Sequence, residues 1–256
     1  MITPAEQTVI RAYARECYSG AGCFVDLGTW LGSATIAFAE GLREKNGLQL
    51  SRVIHAYDRF RWEDWMNPFA PRSEVRLRPG ASFRELFDKR LSPFADMVTT
   101  HEGDLCELEP PDEPIEAIHI DVMKTLDLAN TVNRRFVPQL IPGIGTLFHQ
   151  DFAHYYTSWI HLTMFRLRQY FIPLHAVVNS GTVVFKYVAE APSDAFNTPI
   201  TETCLCSDEM EAAFAYSLSV TPAEMHPAIA AAQVMARVHA AKLDLAHNLL
   251  LSVESK

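Results

Sequence analysis

The segment formed by residues 23–33 constrains the fold of this chain more than any other. It reads Cys-Phe-Val-Asp-Leu-Gly-Thr-Trp-Leu-Gly-Ser, a short apolar run around Asp26 followed by two glycines four residues apart. A continuous apolar run is typical of a parallel strand buried on both faces. Gly28 allows a sharp turn and a close approach of a ligand to the backbone, and Gly32 is expected to let the next helix pack near the strand. The segment therefore predicts a strand, a tight turn and a helix in an open parallel α/β sheet.

A second apolar run, residues 53–58, also ends in an acid, Asp58. Ligands of parallel sheets bind at the carboxyl ends of the strands, where Asp58 can accept hydrogen bonds from both hydroxyls of a ribose. A nicotinamide-dinucleotide fingerprint would require Gly-x-Gly-x-x-Gly. Trp30 stands at the position of the second glycine, so a pyrophosphate could not approach the backbone as closely. The pattern therefore disfavours a nicotinamide dinucleotide as ligand.

The rest of the chain alternates strand and helix patterns, which predicts a doubly wound, Rossmann-like α/β fold. Thr3-Pro4-Ala5-Glu6 is a capping box that opens a helix to about Tyr18. Asn179-Ser180-Gly181 predicts a hairpin at the sheet edge. We expect a mostly parallel seven-stranded sheet with strands at 23–27, 53–58, 97–101, 115–121, 145–149, 175–178 and 182–188. Helices are expected at 33–45, 127–140, 155–170 and 221–252, with a turn at Asn46-Gly47.

Composition sets further limits. The chain has 256 residues and a net charge of −9, and an acidic protein is poorly suited to DNA or long RNA. Neither a leader-like start nor an uncharged stretch long enough to cross a bilayer is present in the sequence, so we expect no membrane partner and a cytoplasmic location. Five cysteines lack the Cys-x-x-Cys spacing of zinc sites, and Cys23 and Cys106 are expected to be buried. We expect one domain over residues 1–190 and a helical extension over 191–256, which either joins that domain or contacts another copy in a homo-oligomer.

The Asp-x-Gly-x-x-x-Gly spacing, together with Asp58, resembles class I S-adenosylmethionine-dependent methyltransferases. Residues 118–152, which include His-Ile-Asp and Leu-Ile-Pro-Gly followed by a strand ending in Gln-Asp, are similar to macrocin-type sugar O-methyltransferases and to relatives named after cephalosporin hydroxylase. The resemblance implies S-adenosylmethionine as cofactor and O-methylation of a small-molecule or sugar hydroxyl, as in natural-product biosynthesis. It implies cofactor binding by Asp26, Gly28, Thr29, Gly32, Ser33, Asp58, Asp104 and His119.

The same resemblance implies a divalent-cation site. Asp121 matches the first acid of the relatives and Asp151 the second member of their Asp-Asp pair, while Gln150 replaces its first member. A neutral amide can still ligate Mg²⁺ but removes one charge, so the sequence leaves the cation open. In these relatives the catalytic base lies two or three residues after the first acid, and Met123 and Lys124 occupy these positions here. Asp121, Lys124 and His154 are therefore the candidate catalytic residues, since Met123 cannot take a proton.

Other functions stay open at this stage. The long connection 59–81 carries Trp62, Trp65, Phe69 and three arginines, Arg72, Arg76 and Arg78, which suits either an acceptor pocket or a docking surface. The chain could therefore bind the cofactor without catalysis or act as an accessory subunit. It could also be an oxidoreductase, because His119, Asp121 and either His149 or His154 formally match the ligand triad of iron oxygenases.

Overall fold

A computed structural model describes residues 2–45, 51–69 and 77–254 of the chain. The Asn46-Gly47 turn and, in the long connection, Arg72 and Arg76 lie outside the described residues. The strands are β1 Cys23–Leu27, β2 Ile54–Asp58, β3 Val98–Glu102, β4 Ile115–Ile120, β5 Thr146–His149, β6 Phe171–Ala176 and β7 Val183–Tyr187. The α-helices are α1 Pro4–Glu16, α2 Ser33–Glu44, α3 Arg84–Leu91, α4 Leu126–Arg135, α5 Trp159–Arg166, α6 Ser193–Asn197, α7 Asp208–Val220, α8 His226–His239 and α9 Leu243–Glu254.

The seven strands form one sheet in the order β3-β2-β1-β4-β5-β7-β6. All neighbours pair in parallel except at β7, which runs antiparallel to both β5 and β6. All five residues of β1 are buried, because this central strand has a strand on each side and helices on both faces. The predicted fold class and edge hairpin are confirmed.

The register of the central strands decides where the polar strand ends meet. Asp26 of β1 lies opposite His119 of β4, and Leu27 lies opposite Ile120. The chain then continues into Gly28 after β1 and into Asp121 after β4, so these two turns are neighbours at the carboxyl edge of the sheet. The amide of Asp121 donates to the carbonyl of Leu27 at 2.9 Å, which ties the two turns together.

Helix α1 is attached to the hairpin at the far edge of the sheet. Thr3 and Glu6 form the predicted capping box at its start. Glu6 is only 3% exposed, and its carboxylate accepts hydrogen bonds from the hydroxyls of Ser180, at 2.8 Å, and of Thr182. A buried carboxylate needs such partners to offset its loss of hydration. The N-terminal helix is therefore held against the turn between β6 and β7.

The C-terminal extension packs on the sheet domain. Phe196, Phe214 and Ile229 belong to the same buried cluster as Ile120 of β4 and Leu147 of β5. A continuous apolar cluster is what one domain core looks like. Residues of the extension thus share the buried core of the sheet domain, and the expected domain division and oligomer contact stay predictions.

Several local expectations were wrong. Helix α5 ends at Arg166, because the chain turns at residues 167–170 and Phe171 already pairs with Tyr187, so β6 begins four residues earlier than expected. Helices α3 and α7 were not expected. Cys106 is exposed, since it follows β3 in a polar turn, whereas Cys23 is buried as expected.

Across the described residues, no helix combines the length and apolar character that a bilayer-spanning segment requires.

Candidate active site

Two glycines shape the turn between β1 and α2. Gly28 has φ +84°, and a Cβ there would lie 2.6 Å from Cγ1 of Val122 and 2.7 Å from the carbonyl oxygen of Asp121. A side chain is therefore excluded both by the left-handed backbone and by the turn after β4. At Gly32, φ is +78° and a Cβ would meet Leu91 at 2.6 Å. The expected reason for Gly32 was wrong, because the close neighbour is helix α3 and not the strand.

Asp26 is fully buried and organises the floor of the site. Its Oδ1 lies 2.9 Å from Nδ1 of His119, and its Oδ2 accepts a 2.6 Å hydrogen bond from Thr35. The hydroxyl of Thr35 also lies 2.9 Å from that of Thr29. Burial lowers the pKa of His119, but the bonded carboxylate of Asp26 outweighs burial and raises it overall. Within the described residues, the other ring nitrogen of His119, Nε2, has no hydrogen-bond partner.

A pocket opens above these residues at the carboxyl edge of the sheet. It encloses about 240 Å³, including its open mouth. Among its lining residues are five of the predicted cofactor ligands, namely Asp26, Gly28, Thr29, Ser33 and His119, and also Asp121. The strand register and the Gly28 turn thus bring most of the sequence-predicted cofactor residues into one place.

Asp58 ends β2 next to this pocket but is already bonded to the backbone. Its Oδ2 accepts from the amide of Trp30 and its Oδ1 from the amide of Phe60, both at 2.8 Å. Burial raises the pKa of Asp58, and the two amides oppose that rise. A carboxylate oxygen has two lone pairs, so each oxygen keeps capacity for a hydroxyl donor. The contact depends on the left-handed backbone of Trp30, with φ +43°, which the sequence did not reveal.

Two tryptophans of the long connection 59–81 lie against Trp30 in the same turn. Trp62 is buried and Trp65 is 54% exposed, and the centroids of their rings lie 6.4 and 5.8 Å from that of the Trp30 ring.

Asp104, a predicted cofactor ligand, does not line the pocket. It is exposed and accepts a hydrogen bond from the amide of Cys106 at 2.9 Å. The expected role of Asp104 in cofactor binding stays a prediction.

The acids after β4 and β5 converge on one lysine. Nζ of Lys124 lies 2.9 Å from Oδ1 of Asp121 and also pairs with Oδ2 of Asp151. The side chains of Asp151 and Asp121 are 10% and 23% exposed, and that of Lys124 is 46% exposed. The Gln150 amide lies beside Asp121 and can donate to Oδ1 at 2.9 Å. The sequence placed these residues together but did not foresee that Lys124 bridges the two carboxylates.

The close approach of these side chains shifts the pKa values of Asp121 and of Lys124. Burial, together with the nearby Asp151 carboxylate, raises the pKa of Asp121 to about 6, although Lys124 opposes the rise. Burial lowers the pKa of Lys124, but the two carboxylates outweigh burial and raise it overall. Near neutral pH, Lys124 is therefore an ammonium ion, and Asp121 titrates close to the working pH of most enzymes.

The three histidines near the candidate site, His119, His149 and His154, do not lie together. His119 pairs in register with Phe148, and Ile120 with His149, so the two histidines point to opposite faces of the sheet. They cannot ligate one metal, and the oxygenase triad built on His149 was wrong. Nδ1 of His154 accepts from the amide of Tyr156 at 3.3 Å, and burial lowers its pKa.

No family model matches the chain, and no curated protein sequence matches it. Solved structures do match. The O-methyltransferase NovP is 14% identical with a TM-score of 0.51, over 72% of this chain and 78% of that one. The calicheamicin methyltransferase CalS11 is 14% identical with a TM-score of 0.52, over 71% of this chain and 78% of that one. The chain therefore has the fold of class I S-adenosylmethionine-dependent methyltransferases.

Proposed function

We propose that the protein is an S-adenosylmethionine-dependent O-methyltransferase that acts on the hydroxyl of a small molecule. The observation that carries this proposal is the position of Asp121. It lines the pocket formed by the Gly28 turn and His119, and it also bonds to Lys124. We call Asp121, Lys124 and Asp151 together the acid–lysine group. A methyl donor and a group that handles the acceptor proton need to be adjacent in this way.

The residues of the pocket fit the proposed cofactor. S-adenosylmethionine supplies an activated methyl group on a positively charged sulfonium. The carboxylates of Asp26 and Asp121 favour a positive charge nearby, and the unpartnered Nε2 of His119 offers a hydrogen bond. The pocket volume of about 240 Å³ includes its open mouth, so the enclosed space is too small for a molecule of the size of S-adenosylmethionine. Lining side chains such as Ile2 and Trp30 therefore have to move when the cofactor enters.

The acid–lysine group suits removal of the acceptor proton. An ammonium ion cannot accept a proton, so Lys124 in its bridged state is not the base. Asp121, with its pKa raised to about 6, can take a proton from a hydroxyl as the methyl group is transferred. Lys124 then neutralises the remaining charge of Asp151 and holds Asp121 in place. His154 is the second candidate base, because its lowered pKa keeps it neutral near pH 7.

A divalent cation fits the same donor set. Asp121 and Asp151 supply the carboxylate oxygens that Mg²⁺ prefers. The Gln150 amide, which can donate to Asp121, would have to turn its oxygen toward the ion. When bound, Mg²⁺ lowers the pKa of a hydroxyl and orients it. The Nζ atom of Lys124 already bridges the two carboxylates, so a cation has to compete with this ammonium group. We therefore propose weak cation binding that assists the reaction.

The net charge of the protein, a structural neighbour and an exposed tryptophan support a small molecule as the methyl acceptor. A net charge of −9 disfavours a nucleic acid, and one structural neighbour is described as a calicheamicin methyltransferase. Trp65 is exposed beside Trp30 at the pocket, and an exposed ring is suited to the apolar face of a sugar or of an aromatic acceptor. We propose a sugar or natural-product hydroxyl in a cytoplasmic pathway.

Calorimetric titration with S-adenosylmethionine and with its demethylated product tests the proposal. We expect micromolar affinity, about −8 kcal/mol, and no binding of a nicotinamide dinucleotide. Binding of the dinucleotide with no binding of either sulfur nucleoside would overturn the cofactor assignment. Cofactor binding with no methyl transfer to any hydroxyl, across a panel of sugars and phenols, would favour the non-catalytic alternative.

A further inference from the structure

A second cluster of reactive side chains lies at the opposite end of the sheet. Cys23 is the first residue of β1, His55 the second residue of β2, and Glu113 lies two residues before β4. Val25 pairs in register with His55, and Cys23 shares a face with Val25, so the thiol and the imidazole are on the same face. The thiol sulfur, a ring nitrogen of His55 and a carboxylate oxygen of Glu113 all lie within 4.8 Å of one another.

This cluster is separate from the proposed methyl-transfer site. That site begins at Gly28, and Cys23 lies at the other end of β1. A rise of about 3.3 Å per residue along a strand separates Cys23 from Leu27 by about 13 Å. None of the three residues lines the cofactor pocket.

We propose that Cys23, His55 and Glu113 form a zinc site with three protein ligands. Sulfur, imidazole nitrogen and carboxylate oxygen are the donors found in zinc centres, and a thiolate favours zinc over Mg²⁺. Three protein ligands leave a fourth tetrahedral position for water. Cys23 is 2% exposed and His55 7%, whereas the Glu113 side chain is 45% exposed. The carboxylate thus gives the ion a path from solvent to the two buried ligands.

His101 supplies the support that a zinc-bound histidine needs. Its Nε2 lies 2.9 Å from Nδ1 of His55, and its ring stacks on Tyr57 with centroids 4.1 Å apart. A metal-bound histidine generally donates its other N–H to a neighbouring acceptor. If Nδ1–H of His55 donates to His101, Nε2 of His55 carries its lone pair toward Glu113 and Cys23. The Nε2 to Glu113 Oε1 distance of 2.7 Å would widen as both atoms turn toward the ion.

Binding at this site has a defined proton balance. The zinc ion forms bonds to the thiolate sulfur, the imidazole nitrogen and the carboxylate oxygen. The thiol proton of Cys23 is lost to solvent, together with any proton on Nε2 of His55, because these ligands bind in their deprotonated forms. No electrons are transferred.

Cobalt substitution tests the site directly on the whole protein. Co²⁺ replaces zinc in tetrahedral sites and shows a thiolate-to-cobalt charge-transfer absorption when a cysteine is bound. We expect one equivalent of Co²⁺ to produce this band, and one equivalent of zinc to remove it and raise the melting temperature by mass action. The experiment uses a Cys204→Ser/Cys206→Ser background, because the half-buried Cys204 and the exposed Cys206 are two residues apart in the chain and can bind a metal adventitiously.

The variants identify the ligands. Cys23→Ser should eliminate the band, and the exposed Glu113→Gln, which is not expected to affect folding, should weaken zinc affinity by more than about 100-fold. His101→Phe keeps the stacked ring but removes the hydrogen bond, and should weaken affinity by about 10–100-fold. A band that persists in Cys23→Ser, unchanged affinity in Glu113→Gln, or no zinc binding at about 10 µM would overturn the proposal. None of these results bears on S-adenosylmethionine binding.

Discussion

Replacing Lys124 by methionine tests the acid–lysine group most directly. Methionine has a similar length but no charge, so the variant leaves Asp121 and Asp151 without the cation that bridges them. Two carboxylates in one buried place repel, and one of them then stays protonated. We expect Lys124→Met to fold and to be less stable than the wild type, with the larger deficit at high pH.

The structure sets the size of this loss. Two unit charges at about 4 Å interact by about 4 kcal/mol at an effective dielectric constant of 20. Lys124 is 46% exposed, so water screens much of that attraction, and fully exposed pairs contribute about 0–1 kcal/mol. Breaking a buried pair costs about 3–5 kcal/mol. An intermediate loss of about 2 kcal/mol corresponds to about 4–8 °C in melting temperature for a chain of this size.

The pH dependence follows from Asp121. Its folded pKa of about 6 lies above the ordinary 3.8, so its protonated form favours the folded state. That contribution is fully present below about pH 4 and is lost as the pH rises through 6. Without Lys124 the folded pKa rises further, so the variant loses stability over a wider range. The deficit relative to the wild type is therefore small at pH 5 and complete at pH 8.

Thermal denaturation at pH 5 and pH 8 measures both the loss of stability in Lys124→Met and its dependence on pH. Lys89→Met is the matched control, because Lys89 is exposed on α3 and should change the melting temperature by less than about 1 °C. The double variant Lys124→Met/Asp121→Asn should recover stability at pH 8, since only one carboxylate remains. Equal deficits at both pH values, or no rescue by Asp121→Asn, would refute the account.

Three further predictions concern the cofactor turn and the cation. Gly28→Ala should lower stability and abolish cofactor binding, whereas Gly143→Ala, with the same φ of +84° but open space at its Cβ, should cost only about 1–2 kcal/mol of backbone strain and leave binding intact. Asp58→Ala should weaken S-adenosylmethionine binding, because a charge-assisted hydrogen bond is worth about 1.5–3 kcal/mol. Millimolar Mg²⁺ should raise the melting temperature of the wild type and that of Asp151→Asn much less.

Each of these has a result that would contradict it. Equal effects of alanine at Gly28 and Gly143 on stability and on binding would show that the clash with the turn after β4 is unimportant. Unchanged affinity in Asp58→Ala, measured by calorimetry, would mean that the two backbone amides use this carboxylate fully. Equal magnesium shifts in the wild type and Asp151→Asn, or no shift in either, would remove the cation from the acid–lysine group.

The sequence was sufficient for the fold and for the convergence of most candidate site residues at one edge of the sheet. Local features carried this information. An apolar run ending at Asp26-Leu27-Gly28 can be satisfied only as a buried strand followed by a sharp turn. Parallel strands place their carboxyl ends at one edge, so the acids after β4 and β5, Asp121 and Asp151, were expected to be neighbours. The hairpin at Asn179-Ser180-Gly181 followed from turn chemistry in the same way.

Tertiary structure alone decided the partners of these side chains. The Lys124 bridge depends on the spacing between β4 and β5, and the contact of Asp58 with Trp30 depends on a left-handed residue that sequence patterns disfavour for tryptophan. Cys23, His55 and Glu113 are far apart in the chain and have no metal-binding spacing, yet strand register places them together. Hydrogen bonds and ion pairs between distant residues are fixed by register and packing, which local sequence does not encode.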